Sequence, residues 1–363
     1  MNTKSTLRTE LLLYLFYFAL FGGLLAYATF YDLQVSERLV NPQNNFGIFF
    51  EYFAEVPRYV LRGCAFTVLL FTRHSLNECL EIIGRIFPFI RPFSREKAET
   101  KLFRICDQAF NWIEIIGFGV LAFFGWKMET DSLVKYIIVW ATGRPEGEVS
   151  GSALCIACSI VLALILTGLG FFIASRARRE TLNKLEPLAL LGLFLYVLYP
   201  LLNDIKAYIS RVRFREMVGY SNGFLTAEGL SNGTDPGVVR DMIGTTDFGA
   251  FTRWYERGDA MGIYSHADSF PSGHTGSAVF ILLSYYLCRA FDSLKKFAVP
   301  CFLGSTLYIG LMAVARIMRG AHYLSDVSMA ALLCGAFLLT GSLLMRFLTY
   351  RRVFPTRDLG GGD

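Results

Sequence analysis

Long apolar runs alternate with short polar connections along most of this chain. Stretches approaching the roughly 20 residues that a helix needs to cross a hydrocarbon core predict helical spans at 11–31, 59–71, 109–126, 152–174, 185–202, 275–291, 297–317 and 327–344. The second is short and carries Arg62 near its start, so eight is the expected count and seven the alternative. The first run has neither the short apolar core nor the small-residue cleavage site of a removable leader and is expected to stay as an anchor.

Two polar regions interrupt this alternation. The connection 73–107 mixes Leu, Ile and Phe with basic residues at near-helical spacing, broken by Pro88 and Pro92, which predicts an interfacial segment along the membrane surface. The segment 205–272 is rich in Gly, Asn, Asp and aromatics and contains the turn signal "SNGTDPG". Long structured loops of this kind usually carry function. The expected organisation is one integral membrane domain in three regions: 1–108 with the N-terminal spans and the interfacial segment, 109–204 with spans three to five, and 205–363 with the outer loop, the last three spans and the candidate chemistry. No repeat or low-complexity tract is visible.

Composition turns this pattern into a fold class. Of 363 residues, 53% are hydrophobic, 15% aromatic and only 18% charged, and the mean hydropathy is positive, unlike an ordinary soluble domain. The expectation is an all-α, polytopic transmembrane helical bundle. Placing the N-terminus inside puts most of the 35 lysines and arginines on cytoplasmic segments, among them Lys4, Arg8, the connection 73–104, "RARRETLNK", Lys295, Lys296 and the tail with Arg351 and Arg352. Both termini are then cytoplasmic in a plasma (inner) membrane, and 205–272 and "RGAHYLSD" face outward. The net charge of +5 needs no nucleic-acid partner, because the inner-leaflet bias of basic residues accounts for most of it. All eight cysteines fall in spans or on the cytoplasmic side, so no outer disulfide is expected, and Cys155 and Cys158 read as packing.

Three polar clusters would open to that outer side. In "DIKAYISRVRFRE", Lys206 and Arg213 are seven apart, which on a continuous helix puts two cations on nearly one face. In "SFPSGHTGSA", Pro271 sets the entry, Ser272 can cap the next helix, Gly273 permits close backbone approach, and His274 sits in a first turn whose N–H groups suit an anion. In "ARIMRGAHYLSDVS", His322 and Asp326 are four apart, a spacing that lets a carboxylate hold one ring nitrogen and leave the other as base or nucleophile, and Arg316 lies before them. Each cluster alone also reads as boundary decoration, an ordinary cap or a surface histidine. Their common side is what favours a site.

In this order the residues resemble the three-part signature of the type 2 phosphatidic acid phosphatase superfamily: Lys, six residues, Arg-Pro; Pro-Ser-Gly-His; Ser-Arg, five residues, His, three residues, Asp. Phe214 stands at the proline position and Ala315 at the serine; neither change removes a charged or nucleophilic group. The match spans 206–344, the last four spans, and the family core is usually six transmembrane helices. The resemblance implies His322 as a nucleophile that forms a phosphohistidine, Asp326 as its orienting carboxylate, and His274 as general acid and then base. Lys206, Arg213, Arg316, Ser272 and Gly273 would surround the phosphate oxygens. It implies a lipid phosphate substrate at the extracytoplasmic face, with phosphatidylglycerophosphate, undecaprenyl diphosphate, phosphatidic acid and a lipid A phosphate as candidates. No metal or other cofactor is expected. The alternatives are a phosphotransferase using the same intermediate, or a transporter or inactive scaffold, the last invited only by Glu114 and Glu186.

Overall fold

The computed structural model describes residues 3–53, 55–72, 74, 76, 78–80, 101–144, 146–223, 236–258 and 267–350. Most of the expected interfacial segment, most of the "SNGTDPG" turn, residues 259–266 and the tail from 351 lie outside the described residues. The described residues are overwhelmingly helical, with no strand among them. In chain order the principal helices are α1 (Thr3–Leu39), α2 (Asn45–Phe53), α3 (Val56–Thr72), α4 (Lys101–Thr142), α5 (Ala153–Arg176), α6 (Arg179–Leu198), α7 (Leu201–Ile209), α8 (Phe214–Ser221) and α9 (Pro236–Thr245). They are followed by α10 (Gly273–Ala278), a 3-10 turn at Val279–Leu282, α11 (Leu283–Ala290), α12 (Ala298–Met318) and α13 (Leu324–Tyr350).

Among the described residues, six helical stretches are long and apolar enough to cross a membrane: Leu7–Leu39, Phe103–Thr142, Ala153–Arg176, Arg179–Ser221, Asp292–Met318 and Leu324–Leu348. They contain six of the eight expected spans. The other two, 59–71 and 275–291, fall on α3, which has 17 residues, and on the succession from α10 to α11, which the 3-10 turn interrupts. The chain is an all-α helical bundle.

The chain divides into two compact units that interleave along the sequence. One comprises Met1–Tyr59, Lys135–Ser150 and Leu195–Leu338, the other Val60–Val134, Gly151–Phe194 and Leu339–Asp363. In the second unit Arg62, the charge inside the second expected span, pairs with Glu129 at 3.0 Å, so the interruption in the apolar run is a buried ion pair. In the same unit His74 lies between Glu186, at 2.7 Å, and Glu78, at 3.4 Å.

The first unit holds all three signature clusters. Its interior is aromatic: Tyr14, Tyr17, Phe302 and Tyr285 meet edge to face, and the Tyr17 hydroxyl donates to the Ala331 carbonyl at 2.9 Å, which ties α1 to α13. α1 breaks its helical geometry at Tyr31 (φ −124°, ψ 16°), directly before the buried Asp32. α12 ends at Gly320, whose φ of 62° is the left-handed conformation that closes a helix. The Ala321 N–H then reaches back to the Arg316 carbonyl at 3.2 Å.

Candidate active site

α7 ends where Ser210 adopts the left-handed conformation (φ 49°, ψ 47°), and Arg213 is in extended backbone. Lys206 and Arg213 therefore do not share a helix face, which corrects the expectation drawn from their spacing. They converge by another route. Lys206 Nζ donates to the Asp268 carbonyl at 2.8 Å, and Arg213 pairs with the Asp268 carboxylate at 2.8 Å. A single residue just before the Pro-Ser-Gly-His stretch gathers both cations of the first cluster.

Ser272 caps α10 as expected, its Oγ accepting from the Thr275 N–H at 3.3 Å, while its own N–H donates to the Asp326 carbonyl at 3.0 Å. The start of α10 is thus tied to the first turn of α13. The Tyr199 hydroxyl donates to the Gly273 carbonyl at 2.8 Å, and a Cβ at Gly273 would lie only 3.3 Å from that hydroxyl and 4.0 Å from the Lys206 side chain. A glycine lets Lys206 and the chain pass this closely.

His274 is half-buried, but its Nε2 is closed to solvent and has no hydrogen-bond partner among the described residues. Its charged neighbours are Arg316, Glu55, Glu51 and Arg58. Burial, and then the positive charge of Arg316, lower it to about 3, so the ring is neutral near pH 7.

His322 is almost fully buried in the turn between α12 and α13. The expectation was that Asp326, one helical turn on, holds its ring nitrogen. The helix begins only at Leu324, so His322 is outside it, and Nδ1 lies 2.6 Å from the Ser269 carbonyl and 3.7 Å from the Asp326 carboxylate. A carbonyl can only accept, so Nδ1 carries the proton and Nε2 keeps its lone pair. Burial, opposed by Asp326 and reinforced by Lys206 and Arg316, lowers this imidazole to about 3 as well. Asp326 accepts the Tyr323 N–H at 2.8 Å, the third residue of the helix satisfying the capping position.

Arg316 is the electrostatic neighbour common to both histidines. Its NH1 pairs with Glu51 at 2.7 Å, and the same carboxylate takes Arg319 Nε at 2.7 Å and faces Arg215 at 3.8 Å. Glu51 is half-buried, and these three guanidinium groups hold its carboxyl well below the usual range. Glu55, another charged neighbour of His274, accepts from Tyr59 at 2.7 Å and Arg58 at 3.2 Å. Sequence reasoning missed Glu51, Glu55, Asp268 and Ser269. None belongs to a recognisable spacing, and Glu51 comes from α2, more than two hundred residues before Arg316 and Arg319, with which it pairs.

The eight residues expected at the site, His322, His274, Asp326, Lys206, Arg213, Ser272, Gly273 and Arg316, all lie in the first unit. The observed bonds and close charges join them around one buried turn. Such an arrangement offers a neutral nucleophilic nitrogen, a second imidazole and several fixed cations, the equipment for displacement at a phosphorus centre.

Comparison with known families agrees in place. Residues 239–352 match the profile of the PAP2 superfamily, a segment that contains the Pro-Ser-Gly-His stretch and the His322 and Asp326 cluster and begins after Lys206 and Arg213. Searches of curated proteins and of solved structures found no significant match. Over residues 239–352, a segment that includes the Pro-Ser-Gly-His stretch, His322 and Asp326, this helical chain is therefore similar to the PAP2 superfamily.

Proposed function

We propose that this protein is an integral membrane lipid phosphatase that hydrolyses a phosphomonoester or diphosphate on a lipid headgroup at the extracytoplasmic face. The observation that carries this reading is the state of His322: buried, neutral, with Nδ1–H fixed on a carbonyl and Nε2 left as a lone pair beside Lys206 and Arg316. In the first step Nε2 attacks phosphorus, the bond from phosphorus to the lipid oxygen breaks, and His274 gives its proton to that oxygen. In the second step His274 takes a proton from water as the water attacks, the P–N bond breaks, and inorganic phosphate leaves.

His274 must be protonated before the first step although its free pKa is near 3. A phosphate dianion placed against Arg316 supplies negative charge at short range and raises that value. Lys206, Arg213 and Arg316, with Ser272 and the Gly273 amide, hold the other phosphate oxygens. Phosphoryl transfer is mostly positioning and charge stabilisation, so this cationic set carries the larger part of the barrier reduction. The outward orientation is supported by the bias of lysine and arginine towards the other side.

The test is phosphate release from a panel of lipid phosphates by purified protein in EDTA. His322→Ala and, separately, His274→Ala are expected to abolish release. Full activity in both variants, or dependence on added divalent metal, would refute the mechanism. Transfer of label to a lipid or sugar acceptor instead of to water would identify a phosphotransferase.

A further inference from the structure

We infer that Ser269, Arg211 and Asp32 are positioning residues that fix the His322 imidazole, and that Asp326 acts on the ring through them. This rests on the reading of His322 as nucleophile. Ser269 is gripped by every polar group it has. Its N–H donates to the Arg211 carbonyl at 2.9 Å, its hydroxyl donates to Asp326 Oδ2 at 2.5 Å, and its carbonyl accepts His322 Nδ1–H at 2.6 Å. The atom that selects the imidazole tautomer therefore belongs to a residue that cannot shift without breaking two other bonds.

The Asp326 carboxylate is already engaged elsewhere. Oδ2 accepts from Ser269 and from the Tyr323 N–H, and Oδ1 accepts Arg211 NH1 at 2.6 Å. Arg211 is 0% exposed, its guanidinium 4.0 Å over the Tyr323 ring, and its far nitrogen pairs with Asp32 at 2.8 Å. Asp32 in turn accepts the Ser325 N–H at 2.9 Å and the Ser325 hydroxyl, and Arg211 donates to that hydroxyl at 2.7 Å. A carboxylate, a guanidinium and a second carboxylate thus run from α1 through the segment after α7 into the first turn of α13.

Such a buried ionic row is poor as a source of stability, because removing the charges from water offsets their attraction; its best-attested use is to specify one geometry. Here that geometry is the face of α13 and the carbonyl of Ser269. Asp32 and Arg211 both lie outside 239–352, so this support is supplied by parts of the chain beyond the segment that matches the family profile.

The experiment compares wild type with Asp32→Asn, Arg211→Lys and Ser269→Ala in one detergent. Melting temperature, steady-state kinetics on a lipid phosphate and 15N NMR of histidine-labelled protein are recorded for each. The chain has only four histidines, and the His322 signals are assigned by their loss in His322→Ala. Wild type should show His322 as a single Nδ1–H tautomer. Asp32→Asn and Arg211→Lys should show a tautomer mixture and lose about 10- to 100-fold in kcat, with KM within about twofold because the phosphate cations remain. Ser269→Ala, which keeps the main-chain carbonyl, should lose less. A wild-type spectrum and wild-type kcat in folded Asp32→Asn and Ser269→Ala would overturn the proposal, even if Arg211→Lys fails to fold. If wild-type protein hydrolyses no lipid phosphate, the functional reading fails, while the NMR comparison still decides whether the network holds the ring.

Discussion

At the scale of single residues, the least expected participant is Glu51. It places one negative charge among Arg316, Arg319 and Arg215, the first of which is among the cations proposed to hold phosphate. Removing one partner of a buried ion cluster leaves the others uncompensated, typically at about 3–5 kcal/mol. Glu51→Gln should therefore lower unfolding stability by about 3 kcal/mol. It should also enlarge the stabilisation by inorganic phosphate, because the anion then takes the vacated role. Equal phosphate-induced melting shifts in variant and wild type would show that Glu51 does not share the phosphate cations. Glu51 was illegible in the sequence for a physical reason: α2 acts through its packing on α12, and no local spacing records a contact made across so much chain. His274 and Arg316, by contrast, were legible because they sit in short motifs.

At the scale of elements, the turn between α12 and α13 decides where the His322 side chain points. Gly320 has φ 62°, its carbonyl accepts the Arg215 N–H at 2.9 Å, and a Cβ there would meet the Arg215 Cβ at 3.0 Å. An L side chain in the left-handed region costs about 1–2 kcal/mol before any clash. Gly320→Ala is expected to lower stability by at least that amount and to reduce kcat more than it raises KM, since it moves His322 relative to Ser269. Unchanged kinetics in this variant would show that the turn tolerates displacement. The same element shows how a spacing argument can reach a right pairing by a wrong route. Lys206 and Arg213 do act on one residue, Asp268, yet α7 stops at Ser210 and the chain between them is not helical. Periodicity predicts faces only while the helix lasts.

At the scale of the whole molecule, the expected sidedness is testable independently of activity. In a cysteine-depleted background, a cysteine at Asp247 should react with a membrane-impermeant maleimide from the extracytoplasmic side. One at Asp292, in the connection between α11 and α12, should react only after the membrane is opened; the reverse pattern would invert the topology. The apolar runs were sufficient to read the helical fold class, and the three motifs to select eight residues that lie in one unit. Each is a local property, because crossing a bilayer demands a contiguous apolar helix and a phosphate site demands particular side chains at short spacing. Only the tertiary structure decided that Asp268 rather than a shared helix face gathers the cations, and that Ser269 rather than Asp326 accepts the His322 proton. It also brought Asp32, from α1, to Arg211 and Ser325, and Glu51, from α2, to Arg316 and Arg319. Those contacts depend on where helices end and which faces pack, and buried hydrogen bonds between distant segments leave no periodic trace in a single sequence.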